Sequence, residues 1–83
     1  MTFYVYMLKC SDESLYIGST NDLEKRLHAH NHLKTGARYT KQRRPVSLVY
    51  SEQCENISEA RKREYALKQL TREKKLLLMN EQK

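Results

Sequence analysis

The chain has no tryptophan, one proline and two glycines, and its apolar runs are short. Scarce proline and glycine exclude collagen-like and low-complexity segments. The run Leu76-Leu77-Leu78-Met79 falls far short of the ~20 residues that a membrane-crossing helix needs. The amino terminus reaches Lys9 and Cys10 before any long apolar stretch, so no secretory leader is expected. Two cysteines, Cys10 and Cys54, cannot build a metal site by themselves. Without an export signal they are expected to be reduced thiols in a cytoplasmic protein, and a disulfide has no positive support. What is present is charge: 83 residues carry 16 Lys and Arg against 10 Asp and Glu, a formal +6. That describes one small basic domain, residues 1–83, which buries only about 60–65% of its unfolded surface and must build its core from few elements.

The most informative absence is local. No acidic residue occurs between Glu24 and Glu52, a run of 27 positions that holds Lys25, Arg26, Lys34, Arg38, Lys41, Arg43 and Arg44. These residues contribute +7, so the rest of the chain sums to −1. His28, His30 and His32 fall in the same stretch. A positive field of this kind suits a polyanion, nucleic acid first and an acidic membrane or protein surface second. A solvated loop that keeps the protein soluble would look similar, but the length of the run in so ionic a chain favours the polyanion.

Hydrophobic patterning supplies the scaffold. Phe3-Tyr4-Val5-Tyr6-Met7-Leu8 and Leu15-Tyr16-Ile17-Gly18, separated by Ser11-Asp12-Glu13-Ser14, read as a β-hairpin. Period-two alternation puts Tyr4, Tyr6 and Leu8 on one face and Phe3, Val5 and Met7 on the other. Asn21 with Glu24 resembles a capping box that opens a helix through about His30, with Leu23 and Leu27 as its apolar stripe. Arg26 and His30, four residues apart, share one side of that helix. Residues Asn31 to Arg44 are expected to form a long basic loop with a helical turn around Thr40 to Arg43. Pro45 to Tyr50 is expected as a third strand. Asn56 with Glu59 offers a second capping box, for a helix from Ile57 to Leu70. Thr71 caps a last helix from Arg72 to Met79, with Leu76, Leu77 and Met79 expected to dock.

Glu64 falls on the inward stripe of the long helix with Ala60 and Leu67, where the pattern calls for an apolar residue. A carboxylate there needs a cation, either a metal or an ordinary Lys or Arg partner. Six of the seven aromatic residues are tyrosines, which can pack in a core while the hydroxyl reaches a polar site.

The ordered set Tyr4-Val5-Tyr6, Tyr16-Ile17-Gly18, Asn21-Asp22-Leu23-Glu24-Lys25-Arg26-Leu27, His30-Asn31, Gly36-Ala37-Arg38-Tyr39-Thr40, Arg43-Arg44-Pro45-Val46 and Glu59-Ala60 with Glu64 and Lys68 resembles the GIY-YIG nuclease domain. The likeness covers nearly the whole chain and is greatest to the small stand-alone bacterial, YhbQ-like members. Tyr4 stands where the first motif opens with glycine. The resemblance implies an α/β (α+β) domain with a three-stranded antiparallel sheet flanked by helices. It implies a DNA endonuclease dependent on Mg²⁺ or Mn²⁺, with a place in DNA repair or processing, or a binding module of the same fold without catalysis. Carried over by position, Tyr6 would be the general base, His30 its proton relay, and Tyr16 would help place the water or the phosphate. Arg26 would bind the phosphate, and Glu64 would be the lone metal ligand. Lys34, Arg38, Lys41, Arg43 and Arg44 would hold the neighbouring nucleic-acid backbone. No base-reading element is evident, so single-stranded or structured DNA is the expected substrate. A protein partner could supply specificity, and no membrane partner is expected.

Overall fold

The alternation read from the amino-terminal residues becomes two antiparallel strands, β1 (Phe3–Lys9) and β2 (Leu15–Thr20). The connecting turn is closed by its own polar groups. Cys10 N donates to Ser14 O at 2.9 Å, and Asp12 Oδ1 accepts from both the amide and the hydroxyl of Ser14. The computed structural model describes residues 2–33 and 38–81, and of Arg38 and Glu81 the backbone alone. The expectations placed on Lys34, Gly36, Ala37 and the Arg38 side chain therefore lie outside what is described.

A third strand, β3 (Ser47–Cys54), pairs antiparallel with β1, so the sheet order is β2-β1-β3. The helices are α1 (Leu23–His32), α2 (Arg38–Lys41), α3 (Ile57–Lys68) and α4 (Arg72–Glu81). This is the α+β arrangement that the resemblance implied. Cross-strand register sorts the residues onto two faces, with Tyr6 opposite Gly18 and Met7 opposite Ile17. One face packs Val5, Met7, Ile17 and Tyr50 against Ala60 and Leu67 of α3, with Leu78 and Met79 of α4 at its margin. The other gathers Tyr6, Leu8, Cys10 and Val46 with Tyr16, Leu23 and Leu27.

Several boundaries move for identifiable reasons. The cap of α1 is Asp22 rather than Asn21: its side chain accepts from Lys25 N at 3.1 Å, while Thr20 Oγ1 takes the Asp22 amide. A carboxylate in that position also complements the positive end of the helix. Strand β3 starts at Ser47 because both backbone groups of Val46 are taken by the Asn31 side chain, at 2.8 and 3.0 Å. It continues to Cys54 because Glu52 finds Arg63 (2.8 Å) and the Tyr50 hydroxyl (2.5 Å), which makes a carboxylate tolerable within the strand. Burial, followed by that carboxylate, pushes the Tyr50 phenol up to about 12. Helix α3 ends at Lys68, two residues early, as the chain tightens through Gln69 N to Ala66 O and Leu70 N to Leu67 O. Asn56 does cap it, accepting from Glu59 N at 2.9 Å. On α4 the docking residues are Leu78 and Met79, whereas Leu76 and Leu77 are exposed at 38% and 58%. Both cysteines are free thiols. Among the described residues no helix is long and apolar enough to cross a membrane.

Candidate active site

The site begins with a missing side chain. Tyr6 on β1 lies directly across from Gly18 on β2, and a Cβ built on Gly18 would come within 2.5 Å of the Tyr6 hydroxyl oxygen and 2.7 Å of Cζ. Real Cβ atoms do not approach so closely, so only glycine lets the Tyr6 ring lie across β2. The glycine of Tyr16-Ile17-Gly18 is thus needed for close approach, and no unusual backbone angle is involved.

From that position the Tyr6 hydroxyl is 2.8 Å from Nε2 of His30, and the other ring nitrogen, Nδ1, is 2.8 Å from Oγ1 of Thr40. Tyr6 is 2% exposed, while His30 and Thr40 are fully buried. Burial first, then the charges of Arg26 and Arg44, lower His30 from its usual 6.5 to about 4. The imidazole is therefore neutral at pH 7. With Nδ1–H donating to Thr40, Nε2 is free to accept the Tyr6 O–H proton, and the three side chains form one directed chain. Burial also raises the Tyr6 phenol, outweighing the hydrogen bond from Arg26 that lowers it. The positive charge of Arg26 lies beside the phenol, but desolvation is the larger influence, and in the protein alone the proton stays on Tyr6.

Arg26 reaches the same oxygen from α1, its Nε donating to Tyr6 Oη at 3.4 Å. The Tyr16 ring lies 6.5 Å from that of Tyr6 and 5.2 Å edge-on to that of His30, centre to centre. Four candidates, Tyr6, Tyr16, Arg26 and His30, are thus brought together, with Tyr6 and His30 inside and Tyr16 and Arg26 half-buried at the rim. Glu64 is carried by α3, the helix packed on the other face. Its side chain is 23% exposed and pairs with Lys68 at 2.7 Å, and its charge contributes to raising the Tyr6 phenol. An open groove of about 230 Å³ leads away from Arg26 along α1, lined by Thr20, Asn21, Asp22, Lys25, Ala29 and Leu33.

The model of the GIY-YIG catalytic domain matches residues 2–77. The chain belongs to that family. It is 60% identical over 77 residues to a UPF0213 protein of Clostridium perfringens, covering 93% of this chain and 82% of the relative. It is 54% identical to a UPF0213 protein of Staphylococcus saprophyticus, covering 94% of each chain. The solution NMR structure of a UPF0213 protein from Bacillus halodurans superposes with a TM-score of 0.60 at 40% identity, over 96% of this chain and 84% of that one. An E. faecalis protein solved by NMR gives 0.61 at 45% identity, over 90% and 79%. This GIY-YIG domain is accordingly one of the small bacterial UPF0213 proteins, and the names of these relatives state no activity.

The donor chemistry of the GIY-YIG site bears on which metal it could hold. Among the described residues no group of three or more His, Cys, Asp or Glu side chains is placed to hold an ion. A single partly exposed carboxylate fits neither a closed zinc site nor a calcium cage. It does fit Mg²⁺ or Mn²⁺, hard ions that keep several waters and take substrate oxygens for the rest of their shell.

The basic stretch is more divided than its sequence suggests. Arg44 donates to the carbonyls of His30, Ala29 (3.2 Å) and Leu33 (2.7 Å), closing the carboxyl end of α1. Arg43 pairs with Asp12 at 3.0 Å and lies 3.9 Å over the Tyr39 ring, which in turn stacks on Tyr16 at 6.0 Å. Both guanidinium groups are engaged inside the domain, whereas Lys41 is exposed. Sequence reading missed Thr40, Asn31 and the structural use of Arg44. Thr40 and Asn31 had only their places in the family motifs to mark them, since no spacing rule predicts a hydroxyl under an imidazole.

Proposed function

We propose that this protein is a divalent-metal-dependent endonuclease that hydrolyses DNA phosphodiester bonds, within the cytoplasm and in DNA repair or processing. The observation that carries the reading is the shared oxygen: Tyr6 Oη meets His30 Nε2 at 2.8 Å and Arg26 Nε at 3.4 Å. In this scheme Tyr6 is the general base for the attacking water, and its own proton leaves through His30, whose Nδ1 is steadied by Thr40. Arg26 binds the scissile phosphate and stabilises its developing charge, and Tyr16 orients the water or the phosphate from the rim. Glu64 would hold Mg²⁺ or Mn²⁺, which when bound supplies positive charge to the phosphate and the leaving oxygen. The groove along α1, with Lys25 at its side, takes the neighbouring strand, and Lys34, Arg38 and Lys41 are proposed as further contacts to the nucleic-acid backbone. A protein partner is proposed as the source of specificity.

A second reading, a nucleic-acid-binding module with little hydrolysis of its own, draws on the raised Tyr6 phenol and the depressed His30 imidazole. Labelled single-stranded, duplex and branched DNA separates the two when incubated with the protein in Mg²⁺, Mn²⁺ or EDTA, beside Tyr6→Phe and Glu64→Ala. Metal-dependent cleavage lost in both variants supports the nuclease. Salt-sensitive binding without cleavage supports the module, and cleavage that persists in both variants sinks the proposed chemistry.

A further inference from the structure

We propose a second metal site on α1, a two-histidine chelate formed by His28 and His32 that takes a transition cation of the Zn²⁺ and Ni²⁺ class. The two residues are one helical turn apart, both are exposed, and their ring centres lie 4.8 Å from each other with the planes tilted by 35°. An imidazole nitrogen binds zinc at about 2.0–2.1 Å, which puts the ring centre about 3.2 Å from the ion. Two such rings at ligand angles between square and tetrahedral have centres roughly 4.5–5.2 Å apart. The observed spacing falls inside that window, and two exposed imidazoles one helical turn apart can turn about their side-chain bonds to aim a nitrogen each at a shared ion.

This site is separate from the one at Glu64. Successive helical residues are offset by about 100°, so His28 and His32 point away from the side of α1 that carries Arg26 and the buried His30. The chemistry differs too, because imidazole pairs favour borderline cations and a lone carboxylate favours hard ones. Glu24 is one turn before His28, yet no three-ligand group is assembled among the described residues. The chelate therefore has two protein ligands, with water completing the shell. It would clip the final turn of α1, the turn held from the other direction by Arg44 and Asn31.

The test uses the full chain without an affinity tag and the metal alone. Calorimetric titration with Zn²⁺ should give one equivalent, with shifts in the ring nitrogens of His28 and His32 by NMR and none in His30. Mg²⁺ at the same concentration should leave those rings unmoved. His28→Gln or His32→Gln should weaken zinc binding on the order of a hundredfold, since the helix presents the second imidazole at high effective concentration. Zinc should raise the melting temperature of the parent protein and leave that of the double variant where it was. Equal affinity in parent and double variant, or zinc that perturbs Cys54 in place of the two rings, overturns the site. Because every readout is binding or stability, failure of the nuclease reading leaves this result intact, and the reverse.

Discussion

The two faces of the sheet are built on opposite principles. The face under α3 is held by shape: Val5, Met7, Ala60 and Leu67 are all fully buried and none presents a side-chain polar group. The face under α1 buries Tyr6, His30 and Thr40 just as deeply, but each is there because a specific partner satisfies it. No buried side-chain polar atom among the described residues lacks a hydrogen bond. One face supplies non-directional stability to a small domain, and the other uses some of it to hold polar groups in a fixed geometry. Substitutions should therefore separate stability from chemistry according to the face they touch.

The sharpest break is expected at Tyr6→Phe. It keeps the ring over Gly18 and removes only the hydroxyl, so cleavage should fall about a thousandfold, or about 4 kcal/mol of barrier, with the fold retained by circular dichroism. Leu67→Ala should do the reverse, costing about 3 kcal/mol in a denaturant titration while the remaining folded protein cleaves normally. Activity lost in proportion to neither face would erase the distinction.

Acid should also act on the polar face. The folded-state pKa of His30 lies below its usual value, so the unfolded chain takes up a proton there first. The stability tied to the neutral ring is fully present above about pH 6.5 and is lost as pH falls toward about 4. That amounts to about 3 kcal/mol at most, and the slope over this window should flatten in His30→Gln. The smallest effect is expected from Thr40→Val, about 1–2 kcal/mol for an unpaired imidazole N–H. Thr40→Ser should recover most of it, and a valine as stable as the parent would show that the hydroxyl under His30 is dispensable.

The apolar face was legible in the sequence because period two and period 3.6 report burial directly. The hairpin, the third strand and α3 follow from them, and even the shifted ends of β3 and α3 reflect local polar partners that a periodicity does not register. The polar face was legible only through the motif. Arg26 and His30 share a helix side by spacing, but their meeting with Tyr6 depends on a sheet register and on a glycine that admits a ring. Glu64 stood out as a carboxylate on an apolar stripe, and its Lys68 partner four residues on is the ordinary ion pair such a position calls for. For α4, the run of four apolar residues offered no contrast from which to choose the docking pair.

The inward turn of Arg43 and Arg44 alters what the acid-free stretch can offer a polyanion. Seven phosphate contacts on duplex DNA would release enough counterions for a log–log salt slope of roughly −6, whereas five would give roughly −4.5. With two guanidinium groups committed to Asp12 and to the end of α1, the shallower slope is the expected one. Part of the charge that would draw the protein toward nucleic acid is the same charge that ties down the β1–β2 turn and the end of α1.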